Sequence, residues 1–245
     1  MSGGRACWDQ SYGGSLARGL ILSKPAGVLV KVPISRVMET SASTVVGWLG
    51  LHRIFEARQV FEWRRAGCPA PPPTVVKERV VVTHARRFGI KIFLETGTLG
   101  GDMVNVTRRV FAQVYSIELD KELFEKARER FAAFPHIRII HGDSRVALRD
   151  LLDKIAAPCV FWLDAHFSGG GTARGLTDTP VRDEITAILD HFCDRHVVLI
   201  DDARLFDGTN GYPTIAEVKG LFGRRRPGWT FEVRHDIIRA CPPLG

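Results

Sequence analysis

The stretch KIFLETGTLGGDMV, residues 91–104, decides how the rest of the chain is read. KIFLET is a short apolar run that closes on an acid, as a buried strand does. Gly97, Gly100 and Gly101 follow, interleaved with Thr98, and Asp102 opens a helix-like segment. Strand, glycine-rich turn and helix together let a backbone lie close to a bound nucleotide. The spacing here is not G-x-G-x-x-G, and Glu95 stands two residues ahead of the first glycine. A carboxylate at that point is a poor neighbour for a pyrophosphate and a good acceptor for an ammonium group.

Downstream of this stretch the pattern repeats. Apolar runs at 91–96, 114–119, 137–142, 159–165 and 196–202 alternate with helix-like runs near 102–112, 121–134, 145–156 and 180–192. This alternation predicts an α/β fold whose parallel strands are buried on both faces. A helix over 214–223 and a terminal antiparallel hairpin over 229–240, turning at His235–Asp236, bring the expected sheet to seven mostly parallel strands. The parallel strands finish at Glu95, Glu118, Asp143, Asp164, and Asp201 with Asp202. Ligands of an open parallel sheet sit outside those ends.

Upstream, residues 1–73 read as a helical and irregular extension, ahead of a main domain at 74–245. The extension is Gly- and Ser-rich at first. It then carries a helical pattern over 43–66 and a Pro-rich connector, GCPAPPP, at 67–73. Its helix would dock on its own domain or serve a partner, a homo-oligomer or a membrane surface. TVVKERVVVTHARRFG, residues 74–89, reads as a helix despite its β-branched residues.

The charge of +7 is uneven: residues 1–90 carry 13 Lys and Arg against 5 Asp and Glu, and residues 91–245 carry 21 against 22. That argues for an anionic surface or partner near the N-terminus and against nucleic acid cradled along the whole chain. Five widely spaced cysteines without a C-x-x-C argue against a disulfide framework or a zinc knuckle. No apolar run is long enough for a transmembrane segment. The start, MSGGRACWDQ, lacks a secretory pattern, so a cytoplasmic location is expected.

Glu118 lies 21 residues after Gly97, where an acid accepts hydrogen bonds from ribose hydroxyls. Asp143 and Ser144, after the third strand, would meet an adenine amino group. Glu95 addresses an ammonium such as S-adenosylmethionine carries. On these residues the chain resembles the class I S-adenosylmethionine-dependent methyltransferases: ETGTLGGDMV is similar to their glycine-rich motif, VYSIELD to their ribose loop and HGDS to their adenine segment. The longer run from FWLDAHFSGGGTARG to HVVLIDDARLFDG, with the PPPTVVKERV lead-in, resembles a largely uncharacterised methyltransferase-like group. The resemblance covers about residues 66–242. It implies a Rossmann-like, doubly wound fold. Glu95, Thr96, Gly97, Thr98, Gly100, Gly101, Asp102, Glu118, Asp143 and Ser144 would then bind S-adenosylmethionine.

Asp164, Asp201 and Asp202 end adjacent strands and would repel one another without a positive charge between them. A hard divalent cation, magnesium above all, would resolve this and activate an acceptor hydroxyl. That arrangement is similar to the catechol-type and macrocin-type O-methyltransferases. In the competing reading Asp164 touches the cofactor and Asp201–Asp202 cap a turn. His166 is either the general base or a buried, hydrogen-bonded histidine. Arg174 and Arg204 would bind an anionic acceptor group or pair with nearby acids. DAHF after the fourth strand is not the N/D-P-P-Y/F run of amino-methylating enzymes, and Pro158-Cys159 precedes its strand, the wrong end for a nucleophile. The expected function is O-methylation of a small molecule or sugar, with Asp164 and His166 as catalytic residues. A non-catalytic cofactor-binding scaffold and an NAD(P)-dependent oxidoreductase are the rivals.

Overall fold

The computed structural model describes residues 42–164 and 179–244. Helices α1 (Ala42–Arg65) and α2 (Thr74–Phe88) precede strand β1 (Ile92–Thr96). Then come α3 (Asp102–Thr107), β2 (Gln113–Glu118), α4 (Lys121–Arg130), β3 (Ile137–His141), α5 (Ser144–Leu152) and β4 (Cys159–Leu163). The chain closes with α6 (Val181–Asp190), β5 (Val197–Ile200), a short 3₁₀ turn (Ala203–Leu205), α7 (Ile215–Arg225), β6 (Thr230–Arg234) and β7 (Ile237–Cys241). The sheet runs β3-β2-β1-β4-β5-β7-β6. Its first five strands are parallel, and β7 lies antiparallel to both β5 and β6. The expected seven-stranded, doubly wound sheet with a terminal hairpin is therefore the one observed.

Alternate residues of each strand feed opposite cores. Leu94, Tyr115, Phe161 and Val198 pack against α5, α6 and α7 through Leu148, Ile185 and Phe222. Phe93, Val114, Trp162 and Leu199 pack against α2, α3 and α4 through Val81, Val104 and Phe131. Burial on both faces is why these strands read as continuous apolar runs. The chain leaves β1 toward β2 on one side and returns to β4 on the other. That reversal of strand order between β1 and β4 is where open parallel sheets take their ligands, at the carboxyl ends.

The hairpin turns at His235 and Asp236, whose φ values of 54° and 59° match a type I′ turn. Asp236 also anchors the end of β5: its carbonyl accepts from the Ala203 N–H at 2.8 Å and its carboxylate from the Arg204 N–H at 2.7 Å. Helix α2 forms despite its β-branched residues because Val75, Val76, Val81 and Ala85 are buried. Gly89, left-handed at φ 64°, ends it.

The compact unit that holds the sheet spans Glu56–Gly245. Val60 and Trp63 of α1 pack on Val75 and Val76, and the Trp63 indole donates to the Pro69 carbonyl at 2.7 Å. Among the described residues, no helix is long and apolar enough to cross a membrane, and Cys68, Cys159, Cys193 and Cys241 are free thiols.

The amino ends of the strands hold a histidine pair. The Cys159 N–H donates to His196 Nδ1 at 3.0 Å, so the neutral ring carries its proton on Nε2. That proton lies toward His191 Nδ1 at 2.8 Å, and His191 Nε2 in turn donates to the Ile155 carbonyl at 2.9 Å. Cys193 brings a third ligand atom within 4.8 Å. A metal on His196 Nε2 would move the proton to Nδ1, against the Cys159 N–H, so the trio is a structural clasp.

Burial first, then His191 and Arg226, pushes His196 down to about 3. The unfolded ring takes its proton near pH 6.5 and the folded one only near 3, so stability falls as pH drops through that window. In His196→Gln, the fall between about pH 6.5 and 4, followed by urea midpoints, is expected to be shallower by up to about 1.4 kcal/mol per pH unit.

Candidate active site

β1 delivers Glu95 and Thr96 to the crevice, and the glycine loop turns back over them. Glu118, at the end of β2, holds that loop: one carboxylate oxygen accepts from the Leu99 N–H at 2.8 Å and the other from the Asp120 N–H at 2.9 Å. Thr98 and Ser116 share a hydroxyl hydrogen bond of 2.6 Å, and Ser116 donates to Glu95 at 2.6 Å. Glu95 is only 3% exposed. Burial raises its pKa well above the usual carboxylate range, Ser116 opposes this, and Asp164, Glu118 and Asp102 add repulsion. A cationic guest would relieve all of these costs at once.

The glycines divide by role. Gly97 (φ 88°) adopts a conformation side chains disfavour. Gly101 (φ 75°) is needed for packing as well, since a Cβ there would meet the Phe131 ring at 2.7 Å. The Gly100 carbonyl accepts from the Arg130 guanidinium, and the exposed Asp102 carboxylate lies 3.3 Å from the same group. Gly101 also closes the loop locally, its N–H donating to the Thr98 carbonyl at 2.8 Å.

Asp143 caps α5, accepting from the Arg145 N–H at 3.0 Å, and its carboxylate is gripped by the Arg145 guanidinium. That grip holds its pKa below the usual range. Ser144 is buried beside Glu184, a residue that none of the sequence motifs singles out. Glu184 is 1% exposed, and burial pushes its pKa up to about 7. The Ser144 and Thr96 hydroxyls favour its ionised form, yet neither of its oxygens makes a hydrogen bond of normal geometry among the described residues. Glu184 lies at the helical spacing of Val181, Ile185 and Ile188, so it is an acid inside an apolar stripe.

β4 and β5 bring three acids to one end of the sheet. The Asp164 N–H donates to the Thr96 carbonyl and the Asp201 N–H to the Leu163 carbonyl, both at 3.0 Å. Asp202 (φ 54°) turns the chain there, and its N–H donates to the Asp201 carboxylate at 2.9 Å. Asp164, Glu184, Asp201, Thr179 and Tyr212 line one pocket, walled by Leu163, Val181, Ile200 and Phe206. Burial and Asp164 push Asp201 up to about 7 against the pull of Lys77. His166 and Arg174 lie outside the described residues.

The charge between these acids comes from the protein. Lys77 of α2 is hydrogen-bonded to Asp201, and its ammonium lies 3.8 Å from Asp202. Arg204 lies 2.8 Å from Asp202 and also pairs with Asp236, which matches the ion-pair reading of Arg204. Three carboxylates offer the oxygen ligands that magnesium prefers. However, Asp201 and Asp202 already carry an ammonium and a guanidinium, so the residues present do not fit a divalent ion as they stand.

No family model matches the chain, and no curated protein is similar to it. Solved structures are. An O-methyltransferase from Bacillus cereus, crystallised with S-adenosylhomocysteine, is 15% identical over 85% of this chain and 94% of its own, with a TM-score of 0.51. A candidate caffeoyl-CoA O-methyltransferase from Staphylococcus aureus is 14% identical over 85% and 96%, with a TM-score of 0.50. The chain shares the fold of these structures. In it, Glu95, Glu118 and Asp143 stand at the carboxyl ends of the neighbouring strands β1, β2 and β3, and Asp164, Asp201 and Asp202 at those of β4 and β5.

Because the folded Glu184 takes its proton near 7 and an unfolded glutamate near 4.5, stability falls as pH rises through that interval. Glu184→Gln removes this loss. The stability gap between variant and wild type in guanidinium unfolding is expected to widen from pH 5 to pH 8, by about 3 kcal/mol at most. A gap that stays flat would mean the carboxyl ionises as readily in the fold as in water.

Proposed function

We propose that this protein is an S-adenosylmethionine-dependent methyltransferase acting on a hydroxyl oxygen of a small acceptor, a sugar among the candidates. One observation carries the reading: Glu95 is a buried acid, ringed by other acids, at the mouth of the glycine loop. A dinucleotide would set its pyrophosphate against that charge. S-adenosylmethionine would set its ammonium there and carries a sulfonium close by, so the environment that penalises Glu95 becomes an asset.

When bound, the cofactor supplies an activated methyl group. The chain's task is then to position the acceptor, exclude water and accept a proton. Glu95 would hold the ammonium, with Thr96, Gly97 and Thr98 forming the backbone surface beside it. Glu118 keeps unused lone pairs for ribose hydroxyls while its two N–H contacts hold the loop in place. Asp143 and Ser144 would face the adenine. The acceptor would enter the pocket beyond β4 and β5, where Asp164 and Tyr212 offer polar contacts among apolar walls. On this reading Asp164 and His166 would orient and deprotonate its hydroxyl. The pocket's mixed lining supports a small acceptor over a polymer, and the N-terminal extension would serve a homo-oligomer.

Calorimetry with S-adenosylhomocysteine tests the proposal. Wild-type protein is expected to bind it and to ignore NAD and NADP. Glu95→Gln, which keeps the shape and loses the charge, is expected to bind at least about tenfold more weakly. Binding of NAD alone would overturn the reading.

A further inference from the structure

The lysine of the PPPTVVKERV lead-in has no part in methyl transfer as proposed. Pro73 sits at the N-cap of α2, and Val75, Val76 and Val81 seat the helix in the apolar clusters. Lys77 stands four residues before Val81, on the stripe that faces the protein. Its side chain is 19% exposed, against 1% for Asp201 and 11% for Asp202. The ammonium is hydrogen-bonded to Asp201, lies 3.8 Å from Asp202 and is attracted by Asp164 as well.

An ammonium is a compact point charge with three donors, suited to a place among carboxylate oxygens. A divalent ion on those oxygens would lie within a few ångströms of it, and the repulsion would be twice that between two unit charges. Arg204, 2.8 Å from Asp202, adds to it.

We infer that Lys77 is a built-in countercharge in place of the divalent cation that three acids at these strand ends would otherwise recruit. The carboxylates are held by the protein itself, and methyl transfer here has no divalent-ion requirement. Lys77 is thus a positioning residue that keeps Asp201 and Asp202 in place. This inference rests on reading the crevice as the methyl-transfer site.

The experiment is a titration of Mg²⁺ into the S-adenosylhomocysteine-loaded protein, by calorimetry and by melting temperature, for wild type, Lys77→Gln and Lys77→Arg. Wild type and Lys77→Arg are expected to show no saturable Mg²⁺ binding and no change in melting temperature. Lys77→Gln vacates the centre of the cluster and is expected to gain an Mg²⁺ site, with a melting temperature that rises by about 3 °C or more at millimolar Mg²⁺. Stoichiometric Mg²⁺ binding by the wild type, abolished by Asp201→Asn, overturns the inference. So does a folded Lys77→Gln as indifferent to Mg²⁺ as the wild type. If Lys77→Gln does not fold, the wild-type titration decides alone. Loss of S-adenosylhomocysteine binding by the wild type is a separate failure, that of the methyltransferase reading.

Discussion

Acids gathered out of water at the end of a sheet must find cations, and the rest of this crevice is arranged around that requirement. Glu95, Glu184 and Asp201 are each nearly inaccessible, and burial raises the pKa of all three. Asp201 is answered by Lys77, and Asp202 by Lys77 and Arg204. Glu118 is satisfied by two backbone N–H groups. Among the described residues Glu95 has only the Ser116 hydroxyl, and its remaining demand is the strongest indication of what binds there.

The two ends of the sheet use polar groups in opposite ways. At the amino ends, His191 and His196 form a closed chain in which every ring nitrogen has an assigned partner, and such a chain adds rigidity. At the carboxyl ends the polar groups converge on a pocket, and among the described residues Glu184 keeps an unmet need. Incomplete satisfaction in a cleft is where ligand chemistry is to be sought.

Lys77 and Glu184 share a signature that was present in the linear chain. Each is a charged residue with apolar neighbours three and four residues on: Val80 and Val81 for Lys77, Ala187 and Ile188 for Glu184. Periodicity assigns such a position to the core, and a charge in the core needs a partner. What periodicity cannot supply is the partner itself: Asp201 lies 124 residues beyond Lys77. The three acids could be seen to need a positive charge, but its source was hidden in a helix that precedes the first strand.

The alternation of strands and helices, the terminal hairpin with its two-residue turn and the strand-end acids were legible in linear order, because they rest on local periodicity and local turn chemistry. The competing roles of the glycines were not. Gly97 and Gly101 look equivalent on paper, yet Phe131 makes Gly101 a packing requirement, and only the folded chain brings α3 and α4 together. The same holds for the charge at the carboxyl ends. Sequence placed the carboxylates on adjacent strands. Tertiary structure alone decided that a lysine from α2 neutralises them, because electrostatic pairing depends on distance through space and not along the chain.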